Sequence, residues 1–81
     1  MQITVLYFQA LREAAGTPRE TLSLPEGTTA QEVLAAAIAR HPGLAPYEKS
    51  VMLSIDEEWA ARGDGVPNGA TVGIMPPVSG G

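Results

Sequence analysis

The sequence predicts a single α+β domain in which a mixed β-sheet packs on one main helix. Segments with alternating apolar residues, rich in β-branched and aromatic types, indicate several strands. One longer segment repeats its apolar residues at helical spacing behind a capping motif. A length of 81 residues leaves room for one hydrophobic core. The order strand, short helix, strand, long helix, strand, short strand, strand favours one mixed sheet covered by one helix.

The first strand is predicted over residues 2–8. Its side chains alternate between two faces, so the odd-numbered residues from Ile3 to Tyr7 share one face while Leu6 and Phe8 share the other. Because both faces are partly apolar, we expect a central strand or a strand with one face kept for a partner.

A short helix is predicted next at residues 10–15, and Gly16 is a natural residue to end it. Residues 19–24 alternate again and predict a second strand with Leu22 and Leu24 facing inward. The short link between the first two strands favours their antiparallel pairing.

The main helix is predicted over residues 30–40. Thr29 and Glu32 match a capping box, in which the Thr29 hydroxyl accepts from a free backbone N–H and Glu32 reaches back. The apolar stripe of this helix is Val33, Leu34, Ala37 and Ile38. His41 follows in a helix-ending segment and is interpreted as a helix C-terminal cation or a solvated residue, not as a catalytic group.

The second half of the chain completes the predicted sheet. Residues 44–47 are predicted as a loop, and residues 51–55 alternate as a third strand. Residues 56–61 have room for at most one short edge strand. Residues 71–75 form the last strand, and Pro76 stops it.

Composition argues against several classes of function. A net charge of −4 and an isoelectric point near 4.7 argue against nucleic acid or an anionic membrane as the partner. The sequence has no cysteine and a single histidine, so we expect no metal site and no thiol chemistry. No apolar run approaches the ~20 residues of a membrane helix, and the first residues show no signal peptide, so we expect a cytoplasmic protein.

Catalysis by this chain alone is not predicted. Asp56, Glu57 and Glu58 are more typical of a solvated acidic loop than of a general acid/base pair, and they would also complement a basic partner surface. Ser79 has no neighbour that would activate it as a nucleophile, so it is interpreted as a spacer. The remaining reactive group is the carboxylate at the end of the sequence.

The last residues, 76–81, predict a tail beyond a body formed by residues 1–75. Two prolines begin the tail and favour an extended path, and two glycines end it without side chains. Such a tail reaches roughly 20 Å when it is extended. A narrow, flexible tip with an unhindered carboxylate on Gly81 suits entry into another protein's active site, where that carboxylate would react.

Three segments carry a resemblance that spans the whole chain. They are the strand leading to Phe8, the Leu11-Arg12-Glu13 segment closing on Gly16, and the ending Met75-Pro76-Pro77-Val78-Ser79-Gly80-Gly81. The chain resembles the small, sulfur-carrying subunits of molybdopterin synthase, whose fold is the ubiquitin-like β-grasp. Two departures are Asp56, where the family often has Asn, and Ile74-Met75, where it often has aromatic residues.

The resemblance implies a carrier with no catalytic activity of its own. A ubiquitin-activating-like adenylyltransferase would use ATP to adenylate the Gly81 carboxylate, and a sulfur donor would make a thiocarboxylate at the Gly80-Gly81 end. The large synthase subunit, in a heterotetramer of two large and two small chains, would hold cyclic pyranopterin monophosphate and accept the sulfur. Neither ATP nor another cofactor would bind to this chain itself.

The resemblance also implies an apolar docking patch on the body, with Arg12 beside it. The implied partner-binding residues are Phe8, Arg12, Trp59, Met75, Pro76, Pro77, Val78 and Ser79. Exposed aromatic and methionine side chains are typical of interface cores. The alternative interpretation is that Phe8 belongs to the core and that Trp59 covers the sheet edge.

Other functions fit the same fold and tail. A ubiquitin-like modifier would join Gly81 to substrate lysines; Lys49 is the one lysine of the sequence, which argues against chain building but not against single conjugation. A sulfur carrier for thiazole synthesis or tRNA thiolation is a second alternative. An adaptor domain with a disordered tail is a third.

Overall fold

The structure is a computed structural model that describes residues 1–77. Its elements are, in order, β1 (Gln2–Tyr7), α1 (Ala10–Ala15), β2 (Arg19–Ser23), α2 (Ala30–Arg40), a 3₁₀ helix (Pro42–Tyr47), β3 (Met52–Ile55), β4 (Glu58–Ala60) and β5 (Thr71–Met75). No helix among these residues is long and apolar enough to cross a membrane.

The strands form one mixed sheet in the order β2-β1-β5-β3-β4. β1 pairs antiparallel with β2 and parallel with β5, while β3 pairs antiparallel with both β5 and β4. The predicted mixed sheet and the antiparallel pairing of the first two strands are therefore confirmed. β4 is the short edge strand that was predicted within residues 56–61. β5 lies in the middle of the sheet.

The inner face of the sheet, which α2 covers, carries the core. Its buried side chains include Ile3, Val5 and Tyr7 from β1, and Val72 and Ile74 from β5. The predicted stripe of α2 packs on them through Val33, Leu34 and Ala37, with Ile38 partly buried at the margin. Alternation along the strands therefore separates a covered face from an uncovered one.

The structure confirms two predictions that were based on local sequence signals. The Thr29 hydroxyl accepts the Glu32 backbone N–H at 3.3 Å, and the Thr29 backbone N–H donates to the Glu32 carboxylate at 2.9 Å. This is the predicted capping box. Gly16 ends α1 with φ 78°, a left-handed conformation that a glycine adopts without the steric cost of a Cβ.

The segment after α2 differs from the sequence prediction. It forms a 3₁₀ helix instead of a loop, and this helix buries Leu44 in the core. The Val51 backbone N–H donates to the Tyr47 carbonyl at 3.0 Å, so Val51 belongs to the turn and β3 begins one residue later, at Met52. The first strand likewise ends one residue earlier than predicted, at Tyr7, because Gln9 turns the chain with φ 53°.

His41 is not a solvated residue, and that part of its interpretation is wrong. Its Nε2 lies 2.7 Å from a Glu20 carboxylate oxygen, and Arg40 Nε donates to the other oxygen at 2.9 Å. The Tyr7 hydroxyl also donates to Glu20, and the Tyr7 and His41 rings meet edge-on with centroids 5.9 Å apart. We call these four residues the polar cluster; it joins β1, β2 and the end of α2.

The polar cluster changes the acidity of two of its members. Burial raises the pKa of Tyr7 above its ordinary value, and the neighbouring Glu20 carboxylate raises it further. Burial by itself would raise the pKa of Glu20, but hydrogen bonds from Tyr7, His41 and Arg40 outweigh burial and lower it. Glu20 is therefore a charged carboxylate held by three partners at neutral pH.

Candidate docking surface

The outer face of the sheet, opposite α2, carries the side chains that alternate with the core. In the strand register, Leu6 of β1 lies beside Gly73 of β5, Gly73 lies opposite Ser54 of β3, and Ser54 lies opposite Trp59 of β4. These four residues form one row across four strands. Because paired residues point to the same face, the row places Trp59 on the same surface as Leu6.

A shallow depression of about 210 Å³ lies along this row. The residues around it are Leu6, Phe8, Ser54, Glu57, Trp59, Thr71, Gly73 and Met75. Its lining is largely apolar and includes one carboxylate, that of Glu57. The depression is the candidate docking surface.

Gly73 forms the floor of the depression. A Cβ atom at this position would lie 2.5 Å from Ser54 Oγ and 3.2 Å from both Met75 Cε and a Phe8 ring carbon. A side chain at this position would therefore push Ser54 aside, and glycine lets Ser54, Met75 and Phe8 pack closely against β5. Glycine inside a strand often indicates a place where another group approaches closely.

The structure brings together three of the residues predicted for the docking patch. Phe8 is 37% exposed and Trp59 is 62% exposed, both large for aromatic side chains, and Met75 lies beside them. The alternative that Phe8 is a core residue is therefore wrong. Arg12 is exposed on α1 and does not line the depression. A role for these residues in binding stays a prediction.

The acidic segment forms the tight turn between β3 and β4. Asp56 and Glu57 adopt φ 49° and 72°, as in a two-residue type I′ hairpin turn. The Asp56 carboxylate accepts the Thr71 backbone N–H at 2.9 Å, and the Asp56 N–H donates to the Thr71 carbonyl at 2.8 Å. An Asn side-chain oxygen could accept the same hydrogen bond, so Asp56 here is a structural residue. Glu57 is left to face the depression.

Residues 76–77 leave the sheet at the border of this surface. Met75 ends β5 and lines the depression, and Pro76 and Pro77 continue from it. Any protein that docks on the outer face therefore lies next to the point at which Pro76 leaves the sheet. The predicted site residues Val78, Ser79, Gly80 and Gly81 lie outside the described residues.

Sequence reasoning did not assign Ser54, Thr71 and Gly73 to the surface. A signal for two of them was present, because the alternation that buries Leu53 puts Ser54 on the opposite face, and a glycine inside a strand is unusual. What the sequence did not show is that β3 and β5 are neighbours. Among residues 1–77, no group of three or more His, Cys, Asp or Glu side chains is placed to hold a metal ion.

Comparisons with known proteins agree with this architecture. The molybdopterin synthase sulfur carrier subunit of Chlamydomonas reinhardtii is 39% identical over 83 residues, with 100% of both chains covered. SAMP1 of Haloferax volcanii, a small archaeal modifier protein, superposes with a TM-score of 0.88 at 25% identity and full coverage of both chains. A chain of the complex of subunits 1 and 2 of the Helicobacter pylori molybdopterin-converting factor superposes with a TM-score of 0.69 at 16% identity, again over 100% of both chains.

The likeness to these structures confirms the ubiquitin-like β-grasp fold that the resemblance implied. The model of the ThiS family matches residues 5–81, which include the whole predicted tail. With this match and the full-length similarity to a curated sulfur carrier, the chain belongs to the ThiS family.

Proposed function

We propose that this chain is the sulfur-carrier subunit of molybdopterin synthase, a donor that carries sulfur on its C-terminus and has no catalytic activity of its own. The observation that carries the proposal is the path of β5. This interior strand runs along the docking surface to Met75 and leads directly into the tail that ends in Gly81. A partner seated on the outer face would therefore receive the tail.

The chemistry begins with activation of the Gly81 carboxylate. A carboxylate is a poor electrophile because its oxygen is a poor leaving group. An adenylyltransferase related to ubiquitin-activating enzymes would use ATP to form an acyl-adenylate, in which AMP becomes the leaving group. A sulfur donor then attacks the acyl carbon, the carbon–oxygen bond to AMP breaks, and a thiocarboxylate forms.

Transfer uses the thiocarboxylate sulfur as a nucleophile. The tail enters the large subunit, and the sulfur attacks a carbon of cyclic pyranopterin monophosphate. A carbon–sulfur bond forms there, and a carbon–oxygen bond at the same carbon breaks, so that the oxygen is the leaving group. Hydrolysis breaks the bond between sulfur and the acyl carbon and regenerates the Gly81 carboxylate. A dithiolene contains two sulfur atoms and each carrier brings one, so two loaded carriers serve each product. This count agrees with a complex of two large and two small subunits, in which the large subunit supplies the acid and base groups.

The body supplies the docking contacts. Phe8, Trp59 and Met75 give the outer face the aromatic and methionine composition that is typical of interface cores. The Helicobacter pylori relative with this fold was solved in complex with a second subunit. Pro76 and Pro77 fix the first part of the tail in extended directions and limit the entropy lost when it is threaded.

Deletion of Gly81 tests the proposal. The deletion moves the carboxylate back by about 3.5 Å, and acyl transfer needs reacting atoms within about 3–3.5 Å in good alignment. We expect the shortened chain to keep its melting temperature and its affinity for the large subunit but to deliver no sulfur. The assay is a single turnover with activating enzyme, ATP, sulfide, large subunit and pterin precursor.

A chain with one residue appended after Gly81 is the matched control for length. It should fail as well, because the reacting carboxylate is then displaced in the opposite direction. Normal sulfur delivery by the shortened chain would contradict the mechanism and with it the proposed function.

A ubiquitin-like modifier is the second candidate, and the likeness to SAMP1 favours it. Mass spectrometry of the chain after co-expression with its activating enzyme separates the two functions. Exchange of one oxygen for sulfur at Gly81 supports a carrier, and the acceptor of that sulfur distinguishes molybdopterin synthase from thiazole synthesis or tRNA thiolation. An isopeptide bond from Gly81 to a lysine of another protein supports a modifier.

A further inference from the structure

We propose that the depression on the outer face is a socket for one arginine side chain of the large subunit. The inference rests on the proposed function, and it specifies the chemistry by which the partner is recognised. Three features carry it: a volume that suits one side chain, the mixed aromatic and aliphatic wall, and the single carboxylate of Glu57 in the lining.

The shape of the depression suits one long side chain. Its volume is about 210 Å³, and the side chains of Leu6, Phe8, Trp59 and Met75 border it. Hot-spot residues in protein interfaces commonly fill pockets of this kind near the centre of the contact.

The wall matches the two parts of an arginine. Leu6 and Met75 offer aliphatic surface to the methylene stem, and Phe8 and Trp59 offer aromatic faces to the guanidinium. Arginine stacks on aromatic rings and binds carboxylates through two parallel hydrogen bonds, whereas a lysine ammonium acts as a point charge. The wall therefore favours arginine over lysine.

The charge on the rim favours a cation over a purely apolar occupant. The ion pairs within residues 1–77 both involve Glu20 in the polar cluster, so Glu57 has no cationic partner in this range. An apolar side chain docked here would cover the Glu57 carboxylate without giving it a partner, and burying an unpaired charge is costly. A guanidinium would remove that cost and add a charge-assisted hydrogen bond.

The socket also lies where it would set the position of the tail. Met75 belongs both to its wall and to the end of β5, and Pro76 follows at once. An arginine anchored in the socket would fix the partner relative to Pro76, so the contact serves threading as well as affinity. We therefore expect removal of this contact to weaken binding of the large subunit and to slow sulfur transfer.

The test measures the affinity of the full chain for the large subunit by isothermal titration calorimetry. Glu57→Gln removes the charge and keeps the length and the turn backbone. Glu58→Gln is the matched control, because it removes an adjacent carboxylate that does not line the depression. We expect Glu57→Gln to weaken binding about tenfold, with a smaller dependence on salt, and Glu58→Gln to change it less than about twofold.

Two further measurements identify the occupant. Phe8→Ala removes an exposed aromatic ring from the wall, and we expect it to weaken binding by about tenfold as well, while a melting temperature close to that of the wild type shows that the fold is retained. Arginine modification with phenylglyoxal, read by mass spectrometry, should show one large-subunit arginine protected by the wild-type chain. The same arginine should be reactive in a complex saturated with Glu57→Gln.

Three outcomes would overturn the proposal. Normal binding by Glu57→Gln together with weak binding by Phe8→Ala would mean that the occupant is an uncharged apolar side chain. Normal binding by both variants, or protection of no arginine, would mean that the depression is not used. If the wild-type chain itself does not bind the large subunit, the proposed function fails too, and this result is distinct because it appears before any variant is made.

Discussion

The two faces of the sheet use alternate residues of the same strands for different purposes. The inner face of β1 and β5 is buried under α2. On that face the Tyr7 hydroxyl donates a hydrogen bond to Glu20 within the polar cluster. The outer face leaves Phe8, directly after β1, 37% exposed, and on β5 it carries Gly73, against which Phe8 packs closely. One strand thus supplies both the core and the candidate docking surface.

This difference shows that adjacent residues of one strand can serve different purposes. One residue stabilises the fold, and the next is available for binding a partner. Residues on the inner face lose packing when they are shortened, because the interior is close-packed. Shortening a residue on the outer face costs the free chain less stability, because these side chains are partly exposed to solvent. Variants can therefore be chosen in pairs, one on each face.

The largest expected effect is on the inner face. Leu34→Ala deletes a fully buried side chain of α2 and should lower the free energy of unfolding by about 3 kcal/mol. Leu6→Ala, on the outer face, is the matched control and should cost less than about 1 kcal/mol, since Leu6 is only partly buried. Urea denaturation measures both. Equal losses of unfolding free energy in the two variants would contradict the distinction between the inner and outer faces.

The second effect is on the outer face and concerns binding. Trp59→Ala should weaken association with the large subunit by about 2 kcal/mol, because an exposed tryptophan beside an apolar depression has the character of a hot spot. Calorimetry measures the affinity, and the melting temperature should change little. Full affinity with a large fall in melting temperature would show that Trp59 acts in the fold instead.

The third effect is a pH dependence of the free energy of unfolding, and it arises from Glu20 on the inner face. The pKa of Glu20 is lowered in the folded chain, so its carboxylate stabilises the fold above the unfolded pKa, ordinarily about 4.5, and this contribution is lost as the pH falls through the lower folded pKa. Glu20→Gln should therefore cost about 1.5 kcal/mol near pH 7 and progressively less below about pH 4.5.

Urea denaturation of wild type and Glu20→Gln between pH 7 and pH 3 checks this prediction. Glu13→Gln changes an exposed residue of α1 and is the control. Its free energy of unfolding should stay close to that of wild type over the whole pH range. A cost of Glu20→Gln that stays constant or grows in acid would contradict the assigned direction, since His41, Arg40 and Tyr7 act on Glu20 through its charge.

The smallest expected effect is at a position that belongs to neither face. Lys49 is exposed between the 3₁₀ helix and β3, and the proposed chemistry uses no amine of this chain. Lys49→Arg should support the full rate of pterin sulfuration in the reconstituted assay. Loss of activity with the fold intact would identify Lys49 as a required contact or a conjugation site, and would favour the modifier over the carrier.

Much of the fold was predictable because its signals are local. The capping box depends on Thr29 and Glu32, three residues apart, and Gly16 ends α1 through its own backbone freedom. The alternation along β1 already separated Tyr7 from Phe8. The 3₁₀ helix was missed because Leu44 is held by burial, and burial depends on elements that are distant in sequence.

By itself the sequence determined the order of the strands and of the two α-helices, and it determined which residues of each strand share a face, since each follows from a residue and its near neighbours. Only the tertiary structure decided that Leu6, Gly73, Ser54 and Trp59 form one row. The physical reason is that a parallel pairing between β1 and β5 joins residues far apart in the chain, and no local pattern records which strands become neighbours.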